Sequence, residues 1–466
     1  MLKRSTIRLI PVVSMALFVG ACSRGTLVFV PVIQPNGPID DRLVIGEVMM
    51  HSEFAQNLRA LCMDGGRLSG SENARKAEQF VADKTREYGL SNVHFEPFEM
   101  LTWRDKETVV TVLDDPPRVL EGAIALGNSL STPPEGVTGQ LVSVGKGRQE
   151  DFEAVSDTLD GKIAFTIEGA LHRSEKMSIA REHGAAGMIQ VSRLDEQARV
   201  GQCHATPRPE PGIVIIGNHG KELSERLEAG QTITVNIKVD ATSWEATPNN
   251  VVAEIPGCGS LAHEVVIVSA HLDSWHLAQG AIDNGNGSAA ILEAARALAS
   301  VDWKPRRTIR FVWFMGEEHG LHGSTAYVEQ HMDELDDIVA VFNVDMPGNP
   351  KTLYTFGHPE IVDFLKSARS QLAGFGLSEN IKSATWTASD HAPFMKQGVC
   401  AITLGGDLGP GVKYYHSSGD KYEIVDLRGT VKSAAAIAVI VRQLADCPQR
   451  PTTRLDPEKL KEQMGW

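Results

Sequence analysis

Short apolar runs punctuate the second half of the chain, each ending in turn residues. Val265–Val268 is unbroken and apolar, which predicts a strand buried on both faces, since a strand with one wet face would alternate apolar and polar positions. Behind it, Ile291, Leu292, Ala295, Leu298 and Ala299 recur at the spacing of one helical face. Val251–Pro256 opens this region, and strand candidates at 264–270, 307–315, 337–344 and 400–405 alternate with helical stretches. Such alternation predicts an α/β fold, a three-layer sandwich around a mostly parallel central sheet.

Upstream, the pattern predicts helices over 42–64 and 72–89, separated by Gly65-Gly66-Arg67-Leu68-Ser69-Gly70-Ser71. Ala77, Phe80, Val81, Lys84 and Tyr88 line one face of the second. Strand-like runs follow near 91–97 and 107–113. From about 119 to 245 the chain turns to short strands and turns, with one helical patch at Ser174–His183. A structureless loop of that length would be exceptional. The expected organisation is a main domain over 41–118 and 246–450, a smaller β-rich insert over 119–245 and a tail at 451–466.

The amino terminus adds an address. Lys3, Arg4 and Arg8 precede the apolar run Leu9–Ala21, which is short for a bilayer span and laid out like a secretory signal. Val19-Gly20-Ala21-Cys22 resembles a lipobox, in which Cys22 is lipidated and becomes the mature terminus. The chain is thus expected to be exported as a bacterial lipoprotein, at the outer membrane, in the periplasm or on the cell surface. Cys22 would be its membrane anchor and 23–40 its tether. Cys62, Cys203, Cys258, Cys400 and Cys447 remain, an odd number with no CxxC, which argues against a structural zinc knuckle. With 42% apolar and 22% charged residues the chain is an ordinary globular protein, and its charge of −14 speaks against a nucleic-acid partner. Oligomeric state stays open, a homodimer included.

Chemistry gathers at the strand ends. The strand candidates lead to His271, to Glu317-Glu318, to Asp345 and, beyond the last, to His416. Asp273 and Asp283 follow His271 on a Gly-rich loop. Carboxyl ends of strands are where open α/β sheets bind ligands. Carboxylates crowded there would repel one another unless a cation sits among them, and imidazole with carboxylate suits zinc. Two metals about 3.5–4 Å apart need a bridging carboxylate, and Asp283 lies centrally. Adjacent Glu side chains diverge, so one of Glu317 and Glu318 can bind metal while the other serves as general base toward the activated water. Asp273 is placed to accept the second ring N–H of His271.

HLDSW…AIDNGNGSAA, WFMGEEHG, NVDMPG, ASDHAPF and YYHSSGD together resemble the M28 family of co-catalytic zinc exopeptidases. RLSGS, STPPEGVTG and HLDSWHLAQGAIDNG resemble its carboxypeptidase Q-like dipeptidase branch, and GKIAF with HGAAGMIQV resembles the protease-associated (PA) domain. The resemblance implies two zinc ions, one held by His271, Asp283 and Asp345, the other by Asp283, Glu318 and His416. It implies Glu317 as base, Asp273 as the group behind His271, and a cis peptide at Asp283-Asn284. Departures concern the substrate pocket. His276 and Asn284 stand where that branch carries acids, and Asp390-His391 is closer to the family's aminopeptidases and to glutaminyl cyclases. Asp390, His391 and His276 are therefore candidate pocket residues, whereas His319 and His322 read as surface or pocket wall.

The reading is an exopeptidase acting on short peptides, dipeptidase- or carboxypeptidase-like. An aminopeptidase is the nearest alternative, with a glutaminyl cyclase or a non-catalytic binding protein further off.

Overall fold

The computed structural model describes residues 40–465, so the leader, Cys22 and nearly all of the expected tether lie outside it. The main sheet has eight strands, in the order Ser91–Pro97, Asn249–Ile255, Thr308–Phe314, Val265–His271, Ile338–Asn343, Ala401–Asp407, Asn349–Phe356 and Lys382–Ser383. Its four central strands, from Thr308–Phe314 to Ala401–Asp407, run parallel, with all their carboxyl ends on one edge. Both flanks turn antiparallel, through Asn249–Ile255 on one side and Asn349–Phe356 on the other.

Both faces of this sheet are covered, which is why its central strands are largely apolar. On one face Val266, Val268 and Ala270 meet the helices Asn286–Ser300 and Leu427–Asp446. On the other Val265, Ile267 and Val341 meet Tyr327, Val328 and Phe394. The result is the expected three-layer α/β sandwich. Among the described residues no helix is long and apolar enough to cross a membrane.

A second eight-stranded sheet runs Arg118–Val119, Met100–Val112, Thr234–Ala246, Val137–Ser143, Ile163–Ile167, Gly187–Val191, Gly212–Ile215, Ile124–Ala125. Met100–Val112 belongs to this sheet although it precedes the change of character at 119, because it pairs along its whole length with Thr234–Ala246. Its polar stretch Arg104-Asp105-Lys106-Glu107 concealed the strand's first half.

Two local expectations change. The helix expected over 42–64 is two, Asp41–His51 and Phe54–Cys62, broken where Ser52 turns extended and its hydroxyl accepts the Phe54 N–H at 3.2 Å. The tail folds back as the helix Pro457–Met464, capped by Asp456, with Leu460 and Met464 packed on Phe356, Met395 and Ala401.

Candidate active site

The parallel strand ends converge. His271 closes its strand, Gly316-Glu317-Glu318 follows Phe314, and Asp345 follows Asn343 by two residues. Asp283 comes from the loop that leads into the helix Asn286–Ser300, and His416 from the loop after Ala401–Asp407. The Asp283–Asn284 peptide is cis.

Two groups form around Asp283. His271 Nε2 lies 3.1 Å from Asp283 Oδ1 and 3.5 Å from Asp345 Oδ1. His416 Nε2 lies 3.0 Å from Asp283 Oδ2 and 2.9 Å from Glu318 Oε2. Each of these triads could hold one metal ion. Yet His416 Nε2, Glu318 Oε1 and Asp345 Oδ1 are buried without a hydrogen bond among the described residues. Within each triad one atom of every side chain lies within 4.8 Å of the others, which is the arrangement of ligand atoms around an ion. Charge agrees. Burial and the neighbouring Asp283 push Glu318 up to about 7. Burial works against a charged His416, but Glu318 and Asp283 lift it to about 9. Burial, helped by Asp345, Glu318 and Asp390, drives Glu317 well above the carboxylate range. The cluster draws protons to offset its own repulsion, and a divalent cation would do so without them. The donor set, imidazole and carboxylate with no thiolate, suits zinc.

Neighbours hold these side chains in place. His271 Nδ1 meets the Asp273 carbonyl oxygen at 3.2 Å, with the Asp273 carboxylate behind it at 3.5 Å. That carboxylate instead accepts the N–H groups of Glu317 at 3.3 Å and Glu318 at 3.4 Å. Asn284 Oδ1 accepts from Gly287 and Met346, and its amide donates to Val344, so it joins the Asp283 loop to the Asp345 loop. Ser389 donates to Asp345 Oδ2 at 2.8 Å. His416 adopts a left-handed backbone (φ 59), a strained conformation for a side chain of its size. It is held by the insert: its Nδ1 meets the Val200 carbonyl at 3.1 Å, and Val200 N–H donates to the His416 carbonyl at 2.9 Å.

Sequence comparison agrees with this geometry. The profile of peptidase family M28 matches residues 250–441 and that of the PA domain matches 137–224. Carboxypeptidase Q of Bos taurus is 29% identical over 405 residues, covering 83% of this chain and 84% of that protein. A probable lipoprotein aminopeptidase of Mycobacterium tuberculosis, LpqL, is 30% identical over 357 residues, covering 73% of this chain and 68% of its own. The chain belongs to peptidase family M28. It is a metallopeptidase, with a zinc exopeptidase fold and a PA insert. Solved structures match that fold: a peptidase M28 precursor from Shewanella amazonensis (TM-score 0.79, 24% identity, 89% of this chain and 98% of that one) and the Bacillus subtilis zinc aminopeptidase BSAP (TM-score 0.67, 24%, 90% and 98%).

The remaining sequence candidates of this M28 chain separate. Asp390 is fully buried, both its oxygens lack a partner among the described residues, and burial pushes it up to about 7. It precedes the helix His391–Lys396 but makes no cap bond, so it is not an ordinary helix cap. His391 points elsewhere, bonding the Trp386 carbonyl at 3.0 Å between the rings of Phe356 and Trp386. His276 pairs with Asp105 of the second sheet at 2.7 Å, a bond between the two halves of the molecule. His319 is buried against Trp275, and burial lowers its pKa to about 4.

Two residues near the centre escaped the sequence reading. Tyr415 stacks on His416 at 3.7 Å, and burial, reinforced by Asp283 and Glu318, drives its phenol well above 10, so it stays a donor. Arg173, on the insert, lies flat against Gly201, where any side chain would collide with its guanidinium. Its Nε is buried without a partner among the described residues. Gly201 adjoins Val200, the residue paired to His416. A tyrosine next to a candidate ligand histidine was the available signal for the first; nothing local marked the second.

Proposed function

We propose that this chain is a two-zinc exopeptidase that cleaves free dipeptides and similarly short peptides. His271, Asp283 and Asp345 would hold one ion, and Asp283, Glu318 and His416 the other. Bound there, zinc would polarise the scissile carbonyl and acidify water. Glu317 takes the proton of the attacking water and passes it to the nitrogen of the leaving amine. Its burial beside Asp345 and Glu318, which raises its pKa, suits a group that both accepts and gives up that proton. Asp273 keeps His271 and the Glu317 turn in register. Asp390 forms the buried floor behind the base.

The observation that carries the short-peptide reading is Arg173. The PA insert, proposed as 119–245 with the long strands beside it, roofs the cleft. Against Gly201, the neighbour of Val200, it holds the Arg173 guanidinium, whose Nε is unpartnered among the described residues and whose charge acts on Tyr415. A guanidinium there is matched to the carboxylate of a substrate's last residue. His276, tied to Asp105, serves as a strut of the roof. The aminopeptidase reading has its own support in the names of the Mycobacterium tuberculosis and Bacillus subtilis relatives. Export and anchoring through Cys22 are part of the proposal, supported by the leader and by the relative named as a probable lipoprotein.

The test compares a free dipeptide with its N-blocked and C-amidated forms on the zinc-loaded protein. Loss of turnover with both changes, or on amidation alone, supports the reading. Loss on N-blocking alone makes the chain an aminopeptidase.

A further inference from the structure

The segment Arg67–Ser71 supplies neither ligand nor base, yet it touches both the loop between His271 and Asp283 and the turn that carries Glu317 and Glu318. Arg67 is 1% exposed and gives its guanidinium to carbonyl oxygens alone: Leu272 at 2.7 Å, Gln279 at 2.6 Å, Gly280 at 2.8 Å and Leu61 at 3.3 Å. Three of these lie on the loop between His271 and Asp283. Ser69 is fully buried. Its hydroxyl donates to Asp273 Oδ2 at 3.1 Å and accepts from the Gly316 N–H at 2.8 Å. Gly316 begins the turn that carries Glu317 and Glu318, and Asp273 stands behind His271. The Ser69 carbonyl accepts the Thr102 hydroxyl at 2.9 Å, from the second sheet. Gly70 keeps the segment wedged there: its φ is +80, and a methyl group would strike Ala246 of that sheet.

We infer that Ser69 is a positioning residue whose single hydroxyl sets the spacing between the Glu317 turn and the His271–Asp273 loop, and whose carbonyl ties that spacing to the second sheet. A hydroxyl can donate and accept at once, so one small side chain can join an N–H to a carboxylate. Remove it and the Gly316 N–H is buried without an acceptor, while Asp273 loses its hydroxyl donor. The turn is then free to shift against His271, and displacements near 1 Å are enough to cost about 10²-fold in rate. The inference rests on the reading of Glu317 as base, and deepens it.

Ser69→Ala, Asp273→Asn and the double variant, all as zinc-loaded full chains, test it through zinc content, Tm, kcat and KM on a free dipeptide. Ser69→Ala is expected to keep its zinc and its KM while kcat falls by about 10–10²-fold. In the Asp273→Asn background the same change should cost less than about threefold, because both residues act through one link. Ser69→Cys, similar in volume and a weak donor, gives the same comparison if the alanine variant folds poorly. Wild-type kcat in the Ser69 variants, or losses that multiply in full, would overturn the inference while leaving the peptidase reading intact. A wild-type chain that binds zinc and cleaves no peptide would overturn both.

Discussion

The Asp420 carboxylate accepts the backbone N–H of Asp283 at 3.1 Å and, with its other oxygen, that of Ile282 at 2.7 Å. The loop bearing the shared carboxylate is thereby held by the same segment that supplies His416. Asp420→Ala strands two buried N–H groups. It should lower stability by about 1–3 kcal/mol and weaken zinc binding by about 10–100-fold. Asp420→Asn retains one acceptor and should fall between. Competition with a metal-binding dye measures the affinities; equal values for all three chains would show that the loop is fixed by other contacts.

Glu317 and Glu318 are adjacent, but only Glu318 has an oxygen beside His416, at 2.9 Å. Glu317→Gln should therefore keep its zinc and lose about 10²–10⁴-fold in kcat. Glu318→Ala should lose zinc. Elemental analysis beside steady-state kinetics separates the two, and the opposite pattern would exchange their roles.

The candidate metal centre was legible because its residues end strands whose apolar runs are visible in the sequence. His271, Glu317-Glu318 and Asp345 sit where the sheet stops, so finding the strands found them. Residues whose importance depends on a neighbour far along the chain were opaque. Nothing around Arg173 or Val200 announces a residue at His416 more than two hundred positions later. Asn349–Phe356 was missed for a similar reason: it reverses direction beside Ala401–Asp407 and carries Pro350 and Lys351 at its start. Asp273 was expected behind His271, but its carbonyl meets the ring while its carboxylate serves the Glu317–Glu318 turn, a division that spacing cannot reveal.

Arg173 should decide how firmly a free carboxylate is held. A charge-assisted hydrogen bond of about 1.5–3 kcal/mol corresponds to about 10–100-fold in affinity. Arg173→Met should raise KM for a free dipeptide by that factor and leave KM for the C-amidated form unchanged. Equal effects on both substrates would remove Arg173 from carboxylate recognition and favour the aminopeptidase reading.

Removing zinc should make stability fall as pH rises through neutrality. Burial lifts both Glu318 and Asp390 to about 7. Between the ordinary carboxylate range and that value, the folded zinc-free chain holds protons that the unfolded chain has released, so folding weakens as pH climbs. His416 acts in the same sense. Burial opposes its charge, but Glu318 and Asp283 raise it to about 9, so its contribution is complete below its ordinary 6.5 and disappears as pH passes 9. Asp283 and Asp273 are buried but held low by His271; their contribution is present above 3.8 and is lost only under stronger acid. Zinc replaces the protons, so the rise in Tm on adding it should grow steadily between about pH 5 and 9. Scanning calorimetry of chelated and zinc-loaded samples across that range checks the sign. A zinc-induced rise that shrank with pH, beyond the protonation of the ligands themselves, would mean the carboxylates are not crowded as the geometry requires.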